Sequence, residues 1–322
     1  MHKNGWRLGL AALGMWVVAG LAQAADGRPP EANDDEVDPC VEFVARLPNV
    51  KAPLCQAAQL RPTAGRSVRG RVIYARDVVA AEPRVRVLVV GGIHGDELSS
   101  ASLVLHWIRL AQQDAAQAHW RFIPVLNPDG MMRRPARRMN ANGVDLNRNF
   151  PTPDWEREAP VYWEKRTRKD PRRWPGPSPL SEPETRYFHD EMEAFQPDLI
   201  VSVHAPYGVL DFDGPAVPPK RLGRLYLDQV GIFPGSLGNY GGVHKGMPVV
   251  TIELPHALRT PRDAEMRQMW RDLLRWMERR LLQPSEATGD AQAGPAPGGA
   301  TEDAPAAAEA AGVAPAEAPE GR

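Results

Sequence analysis

The chain has 322 residues, a formal net charge of −1 and 43% hydrophobic side chains. That is enough for one large domain or two small ones with a sizeable core. No internal repeat, apolar run of membrane-spanning length or nucleic-acid-binding motif is present, which sets aside repeat arrays, membrane-spanning proteins and nucleic-acid binders.

Lys3 and Arg7 precede an apolar run from Leu8 to Leu21 that closes on Ala22-Gln23-Ala24. A positive start, an apolar run shorter than the roughly 20 residues of a bilayer span, and a small-x-small site predict a secretory signal over residues 1–24. The remainder is then exported, expected in the periplasm, with no stable membrane anchor. Residues 25–65 contain both cysteines, Cys40 and Cys55. In an oxidising compartment they are expected to form one disulfide that pins this segment.

Between residues 66 and 283 strands and helices alternate. Strands are expected at 72–75, 85–90, 120–126, 199–203 and 248–252, and helices at 99–113, 181–195 and 264–281. This alternation predicts a single α/β domain with a mixed, mostly parallel sheet flanked by helices. Residues 284–322 are Ala, Pro, Gly and Glu with almost no large apolar side chain. They cannot bury enough surface to offset ordering entropy, so a disordered tail is expected. The tail is acidic, which leaves the body mildly basic.

The apolar run Val87–Val90 reads as a strand buried on both faces. Gly91-Gly92 follows, then His94 and Glu97. An imidazole and a carboxylate at the end of a parallel strand point into the crevice where open α/β sheets bind ligands. Two later strands also end on polar residues, His204 and Glu253. His94, Glu97 and His204 make the two-His-one-Glu set of a catalytic zinc, and Glu253 is the expected general base. Residues 127–151 form the other dense stretch. There Asn147 and Arg148 suit bidentate capture of a carboxylate, and Arg138 can face a developing oxyanion. The basic segment Arg157–Arg173 reads either as cleft-rim electrostatics or as an exposed loop, and His244 either as a cleft residue or a solvated one.

Taken together, His-x-x-Glu, Asn-Pro-Asp-Gly (127–130), Arg-x-Asn-x-x-Gly-Val-Asp-Leu-Asn-Arg-Asn-Phe-Pro (138–151), Ser-x-His (202–204) and Thr-x-Glu-Leu (251–254) resemble the zinc metallocarboxypeptidases of the carboxypeptidase A and B superfamily. The resemblance implies one Zn2+ on His94, Glu97 and His204, and a terminal-carboxylate site at Asn147 and Arg148. It also implies carbonyl polarisation by Arg138, orientation of the first zinc histidine by Asp145, and Glu253 as base and acid. Within the superfamily the chain looks most like the bacterial murein peptide amidases, which implies hydrolysis of the γ-D-glutamyl–meso-diaminopimelate bond of peptidoglycan stem peptides. Two departures stand out. Members of that branch lack a signal, and the substrate-binding tyrosine of digestive carboxypeptidases has no clean equivalent: Ile232 and Phe233 lie in the approach, with Tyr240 and Tyr207 as substitutes.

At the substrate pocket, Leu237 follows Ser236 and no acid stands at Gly238, so an uncharged floor is expected. The partner is a peptide, expected to be a murein tripeptide or stem peptide, and not nucleic acid; oligomeric state is not legible. A general periplasmic metallocarboxypeptidase is the alternative. An N-acylamino-acid deacylase of the aspartoacylase or desuccinylase kind fits less well, because that branch generally lacks the Asp-Leu-Asn-Arg-Asn-Phe run.

Overall fold

The computed structural model describes residues 38–283. The secretory signal and the acidic tail expected above lie outside the described residues.

The elements run α1 (Pro39–Arg46), α2 (Ala52–Ala58), β1 (Arg61–Arg66), β2 (Val72–Val79), β3 (Val85–Val90), α3 (Leu98–Gln113), β4 (Ala118–Ile123), α4 (Pro128–Met132), α5 (Trp155–Val161), α6 (Pro183–Phe195), β5 (Leu199–His204), β6 (Leu210–Asp213), a small β7–β8 pair (Arg221–Leu222, Leu225–Tyr226), β9 (Val249–Glu253) and α7 (Asp263–Met277). Seven strands form one sheet in the order β1-β2-β4-β3-β5-β9-β6. The central pairs β4/β3, β3/β5 and β5/β9 are parallel, and β1/β2, β2/β4 and β9/β6 are antiparallel. The fold is therefore the expected α/β architecture with a mixed sheet, parallel at its centre.

Successive side chains of a strand point to opposite faces, and the core divides accordingly. Val87, Val89, Val201, Val203, Val250 and Ile252 join the side chains of α3 and α7 on one face. Leu88, Val90, Ile200 and Val249 join Phe188 and Met192 of α6, with Phe150 and Tyr240, on the other. This two-sided burial explains why β3 and β5 read as continuous apolar runs rather than alternating ones.

Local boundaries differ from expectation for identifiable reasons. β4 ends at Ile123, before Pro124, which has no N–H to offer a ladder. α6 starts at Pro183 with Glu182 as its cap. Ser181, where the helix was expected to begin, lies ahead of it and donates to Glu182 Oε1 at 2.7 Å. The Cys40–Cys55 disulfide is present. The segment around it packs into the main core through Phe43 of α1, Leu47 just after it and Leu54 of α2.

Candidate active site

Three adjacent parallel strands, β3, β5 and β9, deliver the expected polar residues to one end of the sheet. His204 is the last residue of β5 and Glu253 the last of β9, directly opposite each other in the ladder. His94 and Glu97 follow β3 through a turn that the fold packs tightly. A Cβ at Gly95 would lie 2.4 Å from the backbone of Gly130, so the His-Gly-x-Glu turn needs that glycine. Glu97 then caps α3.

Within this turn, His94 Nδ1 lies 2.8 Å from Glu97 Oε1, and His204 Nδ1 lies 3.1 Å from Glu97 Oε2. All three side chains are buried, and their donor atoms lie within 4.8 Å of one another. The far nitrogen of each ring is occupied. His94 Nε2 meets Asp145 Oδ1 at 3.1 Å, and His204 Nε2 meets the Ser202 hydroxyl at 2.9 Å. Those partners set the ring orientation and leave both Nδ1 atoms facing the shared centre.

Arg138 closes one side of the centre. Its Nε and Nη2 donate to Asp145 Oδ2 at 3.1 and 2.9 Å, and its Nη1 lies 3.2 Å from His94 Nδ1. Against their burial, Arg138 and His94 hold the Asp145 carboxyl well below the usual range. Against the same burial, His94 and His204 hold Glu97 down. Glu253 behaves oppositely: burial, with the Glu97 charge, pushes its carboxyl up to about 8. Its Oε2 is buried without a hydrogen-bond partner among the described residues.

Asn147 and Arg148 stand beside this group. Asp145 Oδ1 accepts from the Asn147 amide at 3.1 Å, and Asn147 Oδ1 accepts from the Leu237 amide at 2.8 Å. Leu237 meets the group through that amide only, since its side chain is 1% exposed and packed in the core. The Arg148 guanidinium donates to Asn147 O at 2.6 Å and lies 4.4 Å under the Phe233 ring. Burial pushes it down to about 10.

A single sheet of this order, with two histidines and a glutamate at the ends of β3 and β5, matches what the comparisons with known proteins return. The zinc carboxypeptidase family profile matches residues 59–211. Murein peptide amidase A of Escherichia coli K12 is 30% identical over 228 residues, covering 69% of this chain and 92% of that protein. Murein peptide amidase A of Vibrio campbellii is 32% identical over 205 residues, covering 61% and 80%.

The chain belongs to the zinc carboxypeptidase family.

It is accordingly a hydrolase. Carboxypeptidase A from Helicoverpa armigera shares the fold, with a TM-score of 0.53 and 17% identity over 68% of each chain. The family implies zinc, and the side chains fit it: two imidazole nitrogens and a carboxylate converge, and an unpartnered carboxylate oxygen stands beside them.

Several features of this zinc carboxypeptidase were not visible in its sequence. Asp213 is the clearest. A Cβ at Gly238 would meet Asp213 Oδ2, so the acid expected to be absent at Gly238 arrives there from β6 instead. Among the described residues no donor or cation reaches its carboxylate, and burial, with Asp211, pushes it up to about 6. No local signal marked it, because β6 reaches Gly238 only through the tertiary fold.

The aromatic position is also resolved in part. Tyr240 is a core residue stacked on Phe150, whereas Tyr207 is exposed. Phe233 covers Arg148, with Tyr162 edge-on to it at 5.7 Å between centroids. The basic segment holding Tyr162 reaches the His94–Glu97 turn at one point, where Arg172 pairs with Asp96 at 2.9 Å, and most of its other charged side chains are exposed. His244 is exposed.

Proposed function

We propose that this hydrolase is an exported zinc-dependent amidase of peptidoglycan stem peptides that cuts the γ-D-glutamyl–meso-diaminopimelate bond. The observation that carries the chemistry is the convergence of His94, Glu97 and His204 beside the unpartnered Glu253 carboxylate. His94, Glu97 and His204 would hold one Zn2+. When bound, that ion supplies Lewis acidity and lowers the pKa of water toward about 7.

Glu253 accepts the proton of the attacking water and then returns it to the leaving amine. Arg138 donates to the carbonyl oxygen as it gains charge. Asp145 fixes both Arg138 and His94. Asn147 and Arg148 hold the carboxylate next to the scissile bond, as an amide and a guanidinium fork can.

The substrate class rests on the murein peptide amidase relatives and on charge. Diaminopimelate carries a second ammonium and a second carboxylate beyond the carboxylate held by Asn147. Asp213, unpaired and set against Gly238, the residue after Leu237, suits the ammonium, and the basic rim segment suits the carboxylate. Export is supported by the signal-like residues 1–24 and by the disulfide. Among the described residues no helix is long and apolar enough to cross a membrane.

The test is hydrolysis of L-Ala-γ-D-Glu-meso-diaminopimelate by purified protein with and without chelator. Metal-dependent release of diaminopimelate is expected, and its absence from a protein that hydrolyses other peptides would refute the substrate. Asp213 by itself favours a second reading, a metallocarboxypeptidase releasing C-terminal lysine or arginine. Faster cleavage of such peptides would select it.

A further inference from the structure

Glu182 and Glu184 are buried acids that the chemistry above does not use; Glu184 is fully enclosed and Glu182 is 2% exposed. Both accept from one amide. Asn140 Nδ2 donates to Glu182 Oε2 at 2.6 Å and to Glu184 Oε2 at 3.1 Å. Glu184 Oε1 accepts from the Val68 amide at 3.1 Å, and Glu182 Oε2 also accepts from Asn142 Nδ2 at 2.8 Å. Among the described residues neither carboxylate has a cation for a partner. The nearby Asp129 adds a like charge, and Arg71 stands 3.7 Å from Asp129.

Asn140 is the hub of the turn these acids grip. Its Oδ1 accepts from the amides of Asn142 and Val144, each at 3.1 Å. Its own amide donates to Val144 O at 3.0 Å, and its carbonyl accepts from Gly143 at 3.1 Å. The turn separates Arg138 from Asp145, Asn147 and Arg148. A displaced Asn140 therefore displaces the carboxylate-holding pair.

We propose that Glu184, with Glu182, is a positioning residue for substrate binding, fixing through Asn140 the turn that aims Asn147 and Arg148 at the substrate carboxylate. This rests on the carboxylate-holding role proposed for that pair. A buried carboxylate without a cation is costly, and a glutamine of the same shape would be cheaper to bury. A glutamine fails for a different reason: either orientation of its amide turns an NH2 toward the Val68 amide or the Asn140 NH2. Only a carboxylate accepts from both. Burial pushes Glu184 up to about 7, with the bonds from Asn140 and Val68 opposing, so its charge is kept against a cost.

Glu184→Gln tests this at pH 8 on two peptides, one with a free carboxylate beside the scissile bond and one with that carboxylate amidated. The ratio of kcat/KM on acid to that on amide is expected to fall about tenfold, the loss of one well-placed charge-assisted bond. The melting temperature is expected to stay level or rise, and amide exchange at residues 142–148 to quicken while α3 and β5 stay protected. An unchanged ratio overturns the proposal. So does an equal loss on both peptides accompanied by a lower melting temperature, which marks a role in folding alone. If the wild type cuts neither peptide, the carboxylate reading itself falls, and unchanged exchange at 142–148 then overturns the clamp as well.

Discussion

His94 Nδ1 and His204 Nδ1 face each other at 3.1 Å, from residues 110 positions apart. Each ring spends its other nitrogen on a fixed partner, Asp145 or Ser202. Two ring nitrogens and the Glu97 carboxylate so arranged suit a metal ion. Chelation should therefore abolish activity, and added zinc should restore it. His204→Ala should lose metal by elemental analysis, whereas Glu253→Gln should keep it and lose about 10²–10⁴ in kcat. Full activity after exhaustive chelation would end the metal assignment.

Asp145 holds two members of the site at once, Arg138 and His94. Asp145→Asn keeps the shape but removes the charge that both need. Zinc affinity should fall about 10–100-fold, as outer-shell changes at metal sites do. Competition with a chromophoric chelator measures it, and unchanged affinity would show that His94 is oriented by its backbone.

The unpaired Asp213 carboxylate makes a prediction about substrate. Diaminopimelate peptides should be preferred over their lysine analogues by about ten- to a hundredfold in kcat/KM, from the extra carboxylate contact at the rim. Asp213→Asn should weaken both amine-bearing substrates relative to a leucine peptide. If the three peptides keep their wild-type ranking in that variant, Asp213 does not reach the substrate.

Glu184 also ties stability to pH. Its folded pKa of about 7 lies above the model-compound value of 4.5, so the folded state holds the proton longer. That contribution is complete below about pH 4.5 and is lost as pH rises through 7, on the order of 3 kcal/mol. Asp213, raised to about 6, acts with the same sign. Glu97 and Asp145, held down in the fold, have the opposite sign and act only at more acid pH. The melting temperature should fall between pH 5 and 8, and less steeply in Glu184→Gln. Equal slopes would show that Glu184 does not titrate there.

The disulfide closes a separation of 15 residues and ties α1 to α2. In the chain-entropy model such a loop is worth roughly 3 kcal/mol. Replacing both cysteines with serine should lower the melting temperature by several degrees while leaving kcat near wild type, because neither helix carries a site residue. In the oxidised purified protein both cysteines should resist thiol labelling until reduced.

Much of the site could be read without a structure because its chemistry is local. His94 and Glu97 sit three apart after a β-branched run, His204 and Glu253 close apolar runs of strand length, and Asn147-Arg148 are adjacent. Strand character, strand end and donor type follow from nearest neighbours, and so did the α/β class. The order β3-β5-β9, which sets the three strand ends side by side, is different: it depends on the pairings Val87 with Leu199 and Ile200 with Val249, between segments far apart in the chain, whose energies no local pattern encodes. The same holds for Asp213 against Gly238, for Phe233 over Arg148, and for Glu184 beneath Asn140. Each is an acid or a ring whose sequence neighbours say nothing of its partner. Long-range packing alone decides which charge meets which cavity, and here it placed an acid where the local sequence had none.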